Sequence, residues 1–278
     1  MKHFEELLKS LGARKCTSLK ESKNWTLWQA QYETPVSTVI GTYLYLKSAC
    51  PLSEATAANL SDFSALSGAS GYQVVVTPSS DLARDLNSTK SRFKGNAAHT
   101  TQQLLQEHLL KGVSYKPLQR EEHFVSPSVT REDEVIEIDG LQFLSKWLVG
   151  SPSDSNQKPL ALLTADGGIG KTTLARELCE NVRVKYPRIL PLLIESDQWK
   201  SLANTGFTLD TLWDIAISRR LENCGSLRSN HSALRVLMQE GLLVVIFDGF
   251  DELAALSGDS NRPQEIIAEL QNLFTPED

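Results

Sequence analysis

The stretch Ala165-Asp166-Gly167-Gly168-Ile169-Gly170-Lys171-Thr172-Thr173 decides the fold of this chain. Its glycines let a backbone wrap closely around an anion, with the N–H groups pointing inward. The apolar run at 159–164 predicts a strand before the loop, and the pattern at 171–186 predicts a helix after it. The N-terminal dipole of such a helix favours a phosphate. The sequence therefore predicts a phosphate-binding loop between a strand and a helix.

The residues of this P-loop have separate expected roles. Lys171 supplies a cation to the β- and γ-phosphates of a nucleotide, Thr172 supplies a hydroxyl to Mg²⁺, and Thr173 is placed to reach the α-phosphate. The candidate nucleotide-binding residues are, in full, Asp166, Gly167, Gly168, Ile169, Gly170, Lys171, Thr172 and Thr173. The strict pattern has glycine where this chain has Ala165, and alanine adopts positive φ less readily. A plain glycine-rich turn is the alternative interpretation.

A second motif follows the apolar strand predicted at 242–247, and it reads Asp248-Gly249-Phe250-Asp251-Glu252. A carboxylate at the end of a buried strand is costly unless it meets a cation. Asp248 is therefore expected beside Mg²⁺, opposite Thr172. Glu252, or else Asp251, is the candidate catalytic residue that orients or deprotonates an attacking water. A solvated acidic turn is the alternative interpretation.

Together these motifs resemble the NACHT family of STAND P-loop NTPases. The resemblance is carried by Gly-Gly-Ile-Gly-Lys-Thr-Thr-Leu-Ala at 167–175 and by Asp-Gly-Phe-Asp-Glu at 248–252. The small residue after the first aspartate, and the acidic pair two positions later, are typical of NACHT proteins. The segment Phe124-Val125-Ser126-Pro127 is also similar to linkers in this family. The resemblance covers about residues 120–278.

The resemblance implies an ATPase that acts as a nucleotide-controlled switch. In such proteins ADP holds the module closed, and exchange for ATP permits self-association that activates an effector domain. Bacterial members commonly serve in antiviral defence against phage, and animal members serve in innate immunity. The implied cofactors are ATP or ADP and Mg²⁺. A trigger ligand, which the sequence does not identify, is an implied partner.

The elements predicted around the motifs give an α/β fold. Strands at 189–195 and 242–247, with helices at 209–222 and 231–239, predict a P-loop NTPase parallel sheet flanked by helices. The family continues with a further strand that ends in a sensor arginine, whereas this chain ends at Asp278. We therefore expect a sheet that is incomplete at its C-terminus, and a chain that binds nucleotide without necessarily hydrolysing it.

Charge and periodicity predict three parts. Residues 1–115 are predicted to form a small α/β or α+β domain, 116–138 a linker, and 139–278 the NACHT-like domain. Residues 1–130 carry 14 Lys and Arg against 11 Asp and Glu, whereas 131–278 carry 14 against 23. This step in charge supports a boundary near residue 130. The weak positive charge of the first part does not indicate nucleic-acid binding.

The N-terminal part offers few chemical signals. Its predicted helices lie at 3–12, 53–66 and 97–111. Its predicted strands lie at 25–32, 37–46 and 72–77. Glu21-Ser22-Lys23 has the E-x-K spacing of restriction-type nucleases, but it lies in a predicted loop without an upstream aspartate to share a metal. Two alternatives to the switch remain open. One is an effector nuclease regulated by the P-loop module, and the other is a nucleotide-binding scaffold without turnover.

Composition predicts a soluble, cytoplasmic protein. The four cysteines lie far apart with no C-x-x-C pair, so neither a zinc site nor a disulfide framework is expected. No apolar run approaches the ~20 residues that a membrane span needs. The N-terminus lacks the pattern of a signal peptide.

Overall fold

The computed structural model describes residues 2–58, 63, 72–88, 97–118, 123–130, 138–149, 160–195, 209–228, 230–249 and 267–268. The chain divides into two compact units, Met1–Lys111 and Gly112–Asp278. The division lies close to the end of the predicted N-terminal domain. Each unit has its own sheet and its own helices.

The first unit has a five-stranded mixed sheet. Its described elements are, in chain order, α1 (Lys2–Ser10), β1 (Lys15–Glu21), β2 (Trp25–Glu33), β3 (Thr38–Leu46), α2 (Leu52–Ala58), β4 (Tyr72–Thr77), α3 (Ser80–Ser88), β5 (Ala98–Thr100) and α4 (Thr101–Leu105), which continues into a π-helical turn (Gln106–Leu110). The strand order is β1-β2-β3-β4-β5. Neighbours are antiparallel from β1 to β3 and parallel from β3 to β5.

Helices cover both faces of this sheet. Parallel neighbours need a crossover connection, and α2 and α3 supply the crossovers from β3 to β4 and from β4 to β5. One buried cluster joins Leu44 and Val75 of the sheet to Ala55 and Leu86 of these helices. On the opposite face, Phe4 of α1 stacks on Tyr45, with ring centroids 4.3 Å apart. Of the two predicted alternatives, α/β is therefore the correct one, with a mixed sheet.

The sequence does not predict two strands of this unit. β1 is mostly exposed, so no alternation of apolar residues marks it. β5 lies within the helix predicted at 97–111, and that prediction is wrong for its first residues. The helix begins only at Thr101, because Thr100 and Gln103 form a reciprocal capping box. The predicted helix at 53–66 ends as α2 at Ala58, and its remainder lies outside the described residues except for Phe63.

The second unit contains short ladders and one parallel strand pair. Its described elements are β6 (Ser114–Tyr115), β7 (Ser128–Val129), β8 (Ile138–Asp139), α5 (Gly140–Val149), α6 (Lys171–Lys185), β9 (Leu190–Ile194), α7 (Leu209–Arg220), β10 (Leu221–Glu222), α8 (Gly225–Arg228), α9 (His231–Gln239) and β11 (Leu243–Phe247). β9 and β11 pair in parallel, whereas β6–β10 and β7–β8 are antiparallel. These positions confirm the strands predicted at 189–195 and 242–247 and the helices predicted at 171–186 and 231–239. The helix predicted at 209–222 is correct only to Arg220, because Leu221 and Glu222 pair with β6 as a strand.

The parallel pair is the centre of this unit. α6 and α7 pack against β9, and α9 packs against β11. Leu192, Leu193 and Ile194 of β9 are completely buried. This burial agrees with the near-continuous apolar sequence expected for a parallel strand that is covered by helices.

The prediction of a strand at 159–164 is wrong. Residues 160–166 have no regular secondary structure, and Leu162 is 73% exposed. An apolar run becomes a strand only when a neighbour satisfies its backbone N–H and C=O groups. In the described part of the unit, β9 and β11 pair with each other and not with this segment. The last helix, predicted to begin at Pro263, lies outside the described residues apart from two helical residues at 267–268.

Candidate phosphate-binding site

The glycine loop has the backbone conformation that its sequence requires. Gly168 and Gly170 have positive φ, at 82° and 93°. Only glycine adopts this region without a Cβ penalty. Asn223 is the one described non-glycine residue with positive φ, so Ala165 does not need the missing glycine for its own conformation. The departure at Ala165 therefore leaves the loop geometry intact.

Lys171 folds back onto the loop that precedes it. Its Nζ donates to the carbonyl oxygen of Ala165 at 2.5 Å and to that of Asp166 at 3.1 Å. The ammonium group thus lies beside the loop and donates to two neutral carbonyl oxygens. A phosphate oxygen could take their place, because its bond to the ammonium group would be charge-assisted and stronger. This geometry suits the expected role of Lys171 as a phosphate ligand.

The helix after the loop begins without a side-chain cap. Gly170 is the N-cap residue of the 15-residue helix α6, and no side chain caps this helix end. The N–H groups of a first helical turn have no acceptor within their own helix. Together with the helix dipole, they make this end a place where an anion is stabilised. Thr172, in this turn, is exposed.

Asp248 lies at the carboxyl end of β11, level with the end of β9. Phe247 pairs with Ile194 in the register of the two strands, and the N–H of Asp248 donates to the Ile194 carbonyl at 2.9 Å. Asp248 is only 7% exposed. The next residue, Gly249, has positive φ at 76°, a conformation outside that of an extended strand. The acidic motif thus begins at the edge of the sheet where parallel α/β folds place their ligands.

A second carboxylate at this edge belongs to Glu195, which directly follows β9. Its Oε1 accepts from Nε of Arg176 at 2.7 Å, and its Oε2 pairs with Nη2 of Arg220. The Glu195 side chain is 12% exposed. Desolvation by burial lowers the pKa of the Arg220 guanidinium. None of these three residues is among the candidates predicted from the sequence, although Glu195 ends a predicted strand in the same way as Asp248 does.

Arg176 connects this ion pair to the loop. It lies four residues after Thr172 on α6, and residues at this spacing share one face of a helix. α6 in turn packs against β9, which ends at Ile194. The structure therefore places Arg176 on the same side of α6 as Thr172 of the loop, and it places Asp248 at the end of β11, the strand that pairs with β9. Asp251 and Glu252, the candidate catalytic residues, lie outside the described residues.

Thr172 and Asp248, the two predicted magnesium ligands, supply only part of a magnesium coordination shell. Within the described segments, no cluster of three or more His, Cys, Asp or Glu side chains could hold a metal ion. Magnesium differs from zinc in this respect, because it commonly binds one or two carboxylates and completes its shell with water and substrate phosphates. A hydroxyl such as that of Thr172 and a carboxylate such as that of Asp248 are oxygen donors of the kind that a magnesium site uses.

The E-x-K segment of the first unit has a structural role in the turn between β1 and β2. Ser22 Oγ donates to Glu54 Oε1 at 3.2 Å, and Asn24 Nδ2 donates to Glu54 Oε2 at 2.7 Å. Lys47 Nζ donates to the carbonyl of Lys23 at 2.8 Å. These bonds attach the turn to α2 and to the residue that follows β3, and Lys47 Nζ also lies 4.0 Å from Oε1 of Glu21.

No protein-family model, curated protein or solved structure matches this chain. Over the residues that the structure describes, none of the helices combines the length and apolar character needed to cross a bilayer.

Proposed function

We propose that the second unit binds ATP and ADP with Mg²⁺, and that the chain is a NACHT-type signalling NTPase. In this proposal the protein is a nucleotide-controlled switch in antiviral or innate immune defence, and ATP permits its self-association. The nucleotide lies against residues 166–173, at the N-terminus of α6. Nucleotide binding is the part of the proposal that the geometry supports most directly.

One observation carries this proposal. The loop combines positive φ at Gly168 and Gly170, an N-terminus of α6 without a side-chain cap, and the ammonium of Lys171 against the loop's own carbonyls. Each feature favours an anion at the same place. A plain glycine-rich turn explains the positive φ values, but it gives no reason for a lysine to fold into the loop.

Different residues bind the phosphates, the magnesium ion and the attacking water. Backbone N–H groups of the loop and Lys171 bind the phosphates, and Thr173 reaches the phosphate closest to the nucleoside. Thr172 and Asp248 hold Mg²⁺, which neutralises phosphate charge when it is bound. Glu252 or Asp251 orients the attacking water if ATP is hydrolysed.

The assignment to signalling and defence rests on the sequence motifs. Glycine at 249 and the acidic pair at 251–252 are the residues that resemble NACHT proteins beyond a general P-loop. The fold agrees with this proposal at a coarser level, because the chain is α/β with parallel strands covered by helices in its second unit. The first unit is then the effector candidate by its position ahead of the switch.

Calorimetric titration of the full chain with ATP and Mg²⁺ tests the proposal. Replacing Lys171 with alanine removes a charge-assisted hydrogen bond to phosphate, which is worth roughly 1.5–3 kcal/mol, or about tenfold to more than a hundredfold in affinity. The control is Lys185→Ala at the exposed end of the same helix, which should bind as the wild type does. Equal affinity of the Lys171→Ala variant and the wild type would overturn the proposal.

A further inference from the structure

Glu195 bridges the phosphate-binding helix and the helix that leads into β10. Its two oxygens bind separate arginines, Arg176 on α6 and Arg220 at the last position of α7. The pair is shielded from water, since the side chains of Glu195 and Arg220 are 12% and 14% exposed. A salt bridge in such a place is sensitive to any charge that arrives beside it, because water screens it little.

The backbone at Arg220 is hydrogen-bonded to the segment that contains β6. In the sequence, β6 lies just after the boundary between the two units. The N–H of Lys116 donates to the Arg220 carbonyl at 2.8 Å. The next residues, Leu221 and Glu222, pair with Tyr115 and Ser114 in an antiparallel ladder. The Nζ of Lys116 also donates to the Ser218 carbonyl at 2.9 Å. The position of β6 therefore depends on where the end of α7 lies.

A second connection joins β6 to α6 directly. The hydroxyl of Tyr115 and the thiol of Cys179 lie 2.8 Å apart, in hydrogen-bond contact. Leu118 is buried with Cys179 and with Leu193 of β9. The segment 114–118 is thus attached to α6 in two ways. One is the buried contact of Tyr115 and Leu118 with Cys179. The other runs from Lys116 to Arg220 by a hydrogen bond, and from Arg220 to Glu195 and Arg176 by ion pairs.

The charges at the bridge are unbalanced. Two guanidinium groups share one carboxylate, and Nε of Arg220 is buried without a hydrogen-bond partner among the described residues. Arg176 lies one helical turn after Thr172, on the same face of α6. A phosphate group bound at the N-terminus of α6 therefore brings negative charge toward the Arg176 end of the bridge.

We propose that Glu195 couples the phosphate site to β6, so that a bound nucleotide changes how firmly residues 114–118 are held on the second unit. This inference rests on the proposed function and names its regulation. Nucleotide at the loop orders the first turns of α6 and fixes Arg176. Arg176 in turn fixes the position of Glu195 through their ion pair, and Glu195 fixes Arg220 in the same way. The carbonyl of Arg220, which accepts from the N–H of Lys116, is then held in place. The nucleotide signal thus reaches the chain segment that leads to the first unit.

Hydrogen exchange of the full chain, with and without saturating ADP and Mg²⁺, measures this coupling. The informative amide is that of Lys116. The internal reference is α9, which contributes no residue to the bridge. Binding sites that are coupled commonly affect each other by 5- to 150-fold. We expect the exchange of Lys116 to slow by at least about tenfold on that scale, while amides of α9 slow by about twofold or less.

Matched variants separate the bridge from a general stabilisation. Glu195→Gln keeps the shape of the side chain and removes its charge, and it should abolish most of the nucleotide-dependent slowing at Lys116. Glu222→Gln removes one exposed carboxylate from β10 itself and should leave the slowing unchanged. Tyr115→Phe removes only the hydroxyl contact with Cys179 and should reduce the slowing in part. If the Glu195 variant does not fold, Arg176→Gln carries the test, because it removes the other end of the same bridge at a side chain that is 35% exposed and should abolish most of the slowing.

The outcomes distinguish this inference from the proposed function. If calorimetry detects no nucleotide binding by the wild type, the proposed function fails and the coupling fails with it. If nucleotide binds but Lys116 and α9 slow by the same factor, the coupling alone is overturned. The same holds if Glu195→Gln, with nucleotide bound, retains the full slowing at Lys116.

Discussion

The N–H of Asp248 donates to the carbonyl of Ile194 at 2.9 Å, which holds the ends of two parallel strands level. Asp248 therefore begins the acidic motif at the edge of the sheet where β9 also ends. Glu195 follows Ile194 at that same edge and is already paired with two arginines. Of these two neighbouring carboxylates, Asp248 is the candidate for magnesium and Glu195 is the candidate for positioning basic groups.

Asp248→Asn should weaken the dependence of nucleotide binding on magnesium. The amide keeps the size of the side chain but removes the negative charge that Mg²⁺ prefers as a ligand. We expect the gain in ATP affinity on adding Mg²⁺ to fall by about tenfold, equivalent to ~1.4 kcal/mol. Titration in Mg²⁺ and in EDTA measures this gain, and Asp81→Asn on the exposed surface of α3 is the control. An unchanged magnesium dependence would exclude Asp248 as a ligand.

Gly170→Ala should destabilise the loop, because Gly170 has φ of 93°. The left-handed conformation costs a residue with a Cβ roughly 1–2 kcal/mol. Gly167 is the matched control, since its φ is not positive and an added Cβ meets no atom within 4 Å. Urea unfolding of both alanine variants gives the comparison. Equal stability of the two variants would contradict the loop conformation described here.

Phe4→Ala should destabilise the first unit strongly. Phe4 is 1% exposed and stacks on Tyr45. Truncating a buried phenylalanine typically costs about 3–5 kcal/mol. Val36→Ala is the control, because Val36 is 92% exposed and its loss should change the free energy of unfolding by no more than about 0.5 kcal/mol. A loss at Phe4 as small as that at Val36 would show that α1 does not pack on the sheet.

The buried thiol of Cys179 should make the protein less stable in alkali. Desolvation raises the pKa of this thiol from 9.0 to about 12. The folded state thus favours the neutral form more than the unfolded state does. The resulting stabilisation is complete below pH 9 and is lost as the pH rises from about 9 to about 12.

Replacing Cys179 with alanine should remove that contribution. The free energy of unfolding of the variant is expected to fall less between pH 8 and pH 10.5 than that of the wild type. Urea unfolding at both pH values measures the difference, and the comparison does not depend on the stability lost through truncation itself. If both proteins show the same change with pH, Cys179 ionises as freely in the folded chain as in the unfolded chain.

The elements that periodicity predicts best are those whose burial follows a simple pattern. β2, β3 and β9 have apolar or aromatic residues over most of their length, and α9 buries one face. The start of α4 was predicted too early, because the prediction at 97–111 followed periodicity, whereas the capping pair Thr100 and Gln103 sets the first helical residue. These features depend on residues close in sequence, so sequence patterns contain them.

Features that depend on distant partners could not be read in this way. The apolar run at 159–164 has the composition of a strand, but pairing depends on another segment and not on composition. Glu195 is one acidic residue among many until Arg176 and Arg220 are brought beside it. The attachment of β6 likewise depends on Leu221 and Cys179, which lie far along the chain.

Titration of the wild-type chain with ATP, ADP and AMP in the presence of Mg²⁺ tests the central claim most directly. Lys171 and the N-terminus of α6 are placed for the phosphates beyond the first, so ATP and ADP should bind at least about tenfold more tightly than AMP. This factor is the scale of one charge-assisted bond. Failure to bind ATP and ADP, or equal affinity for all three nucleotides, would contradict the account.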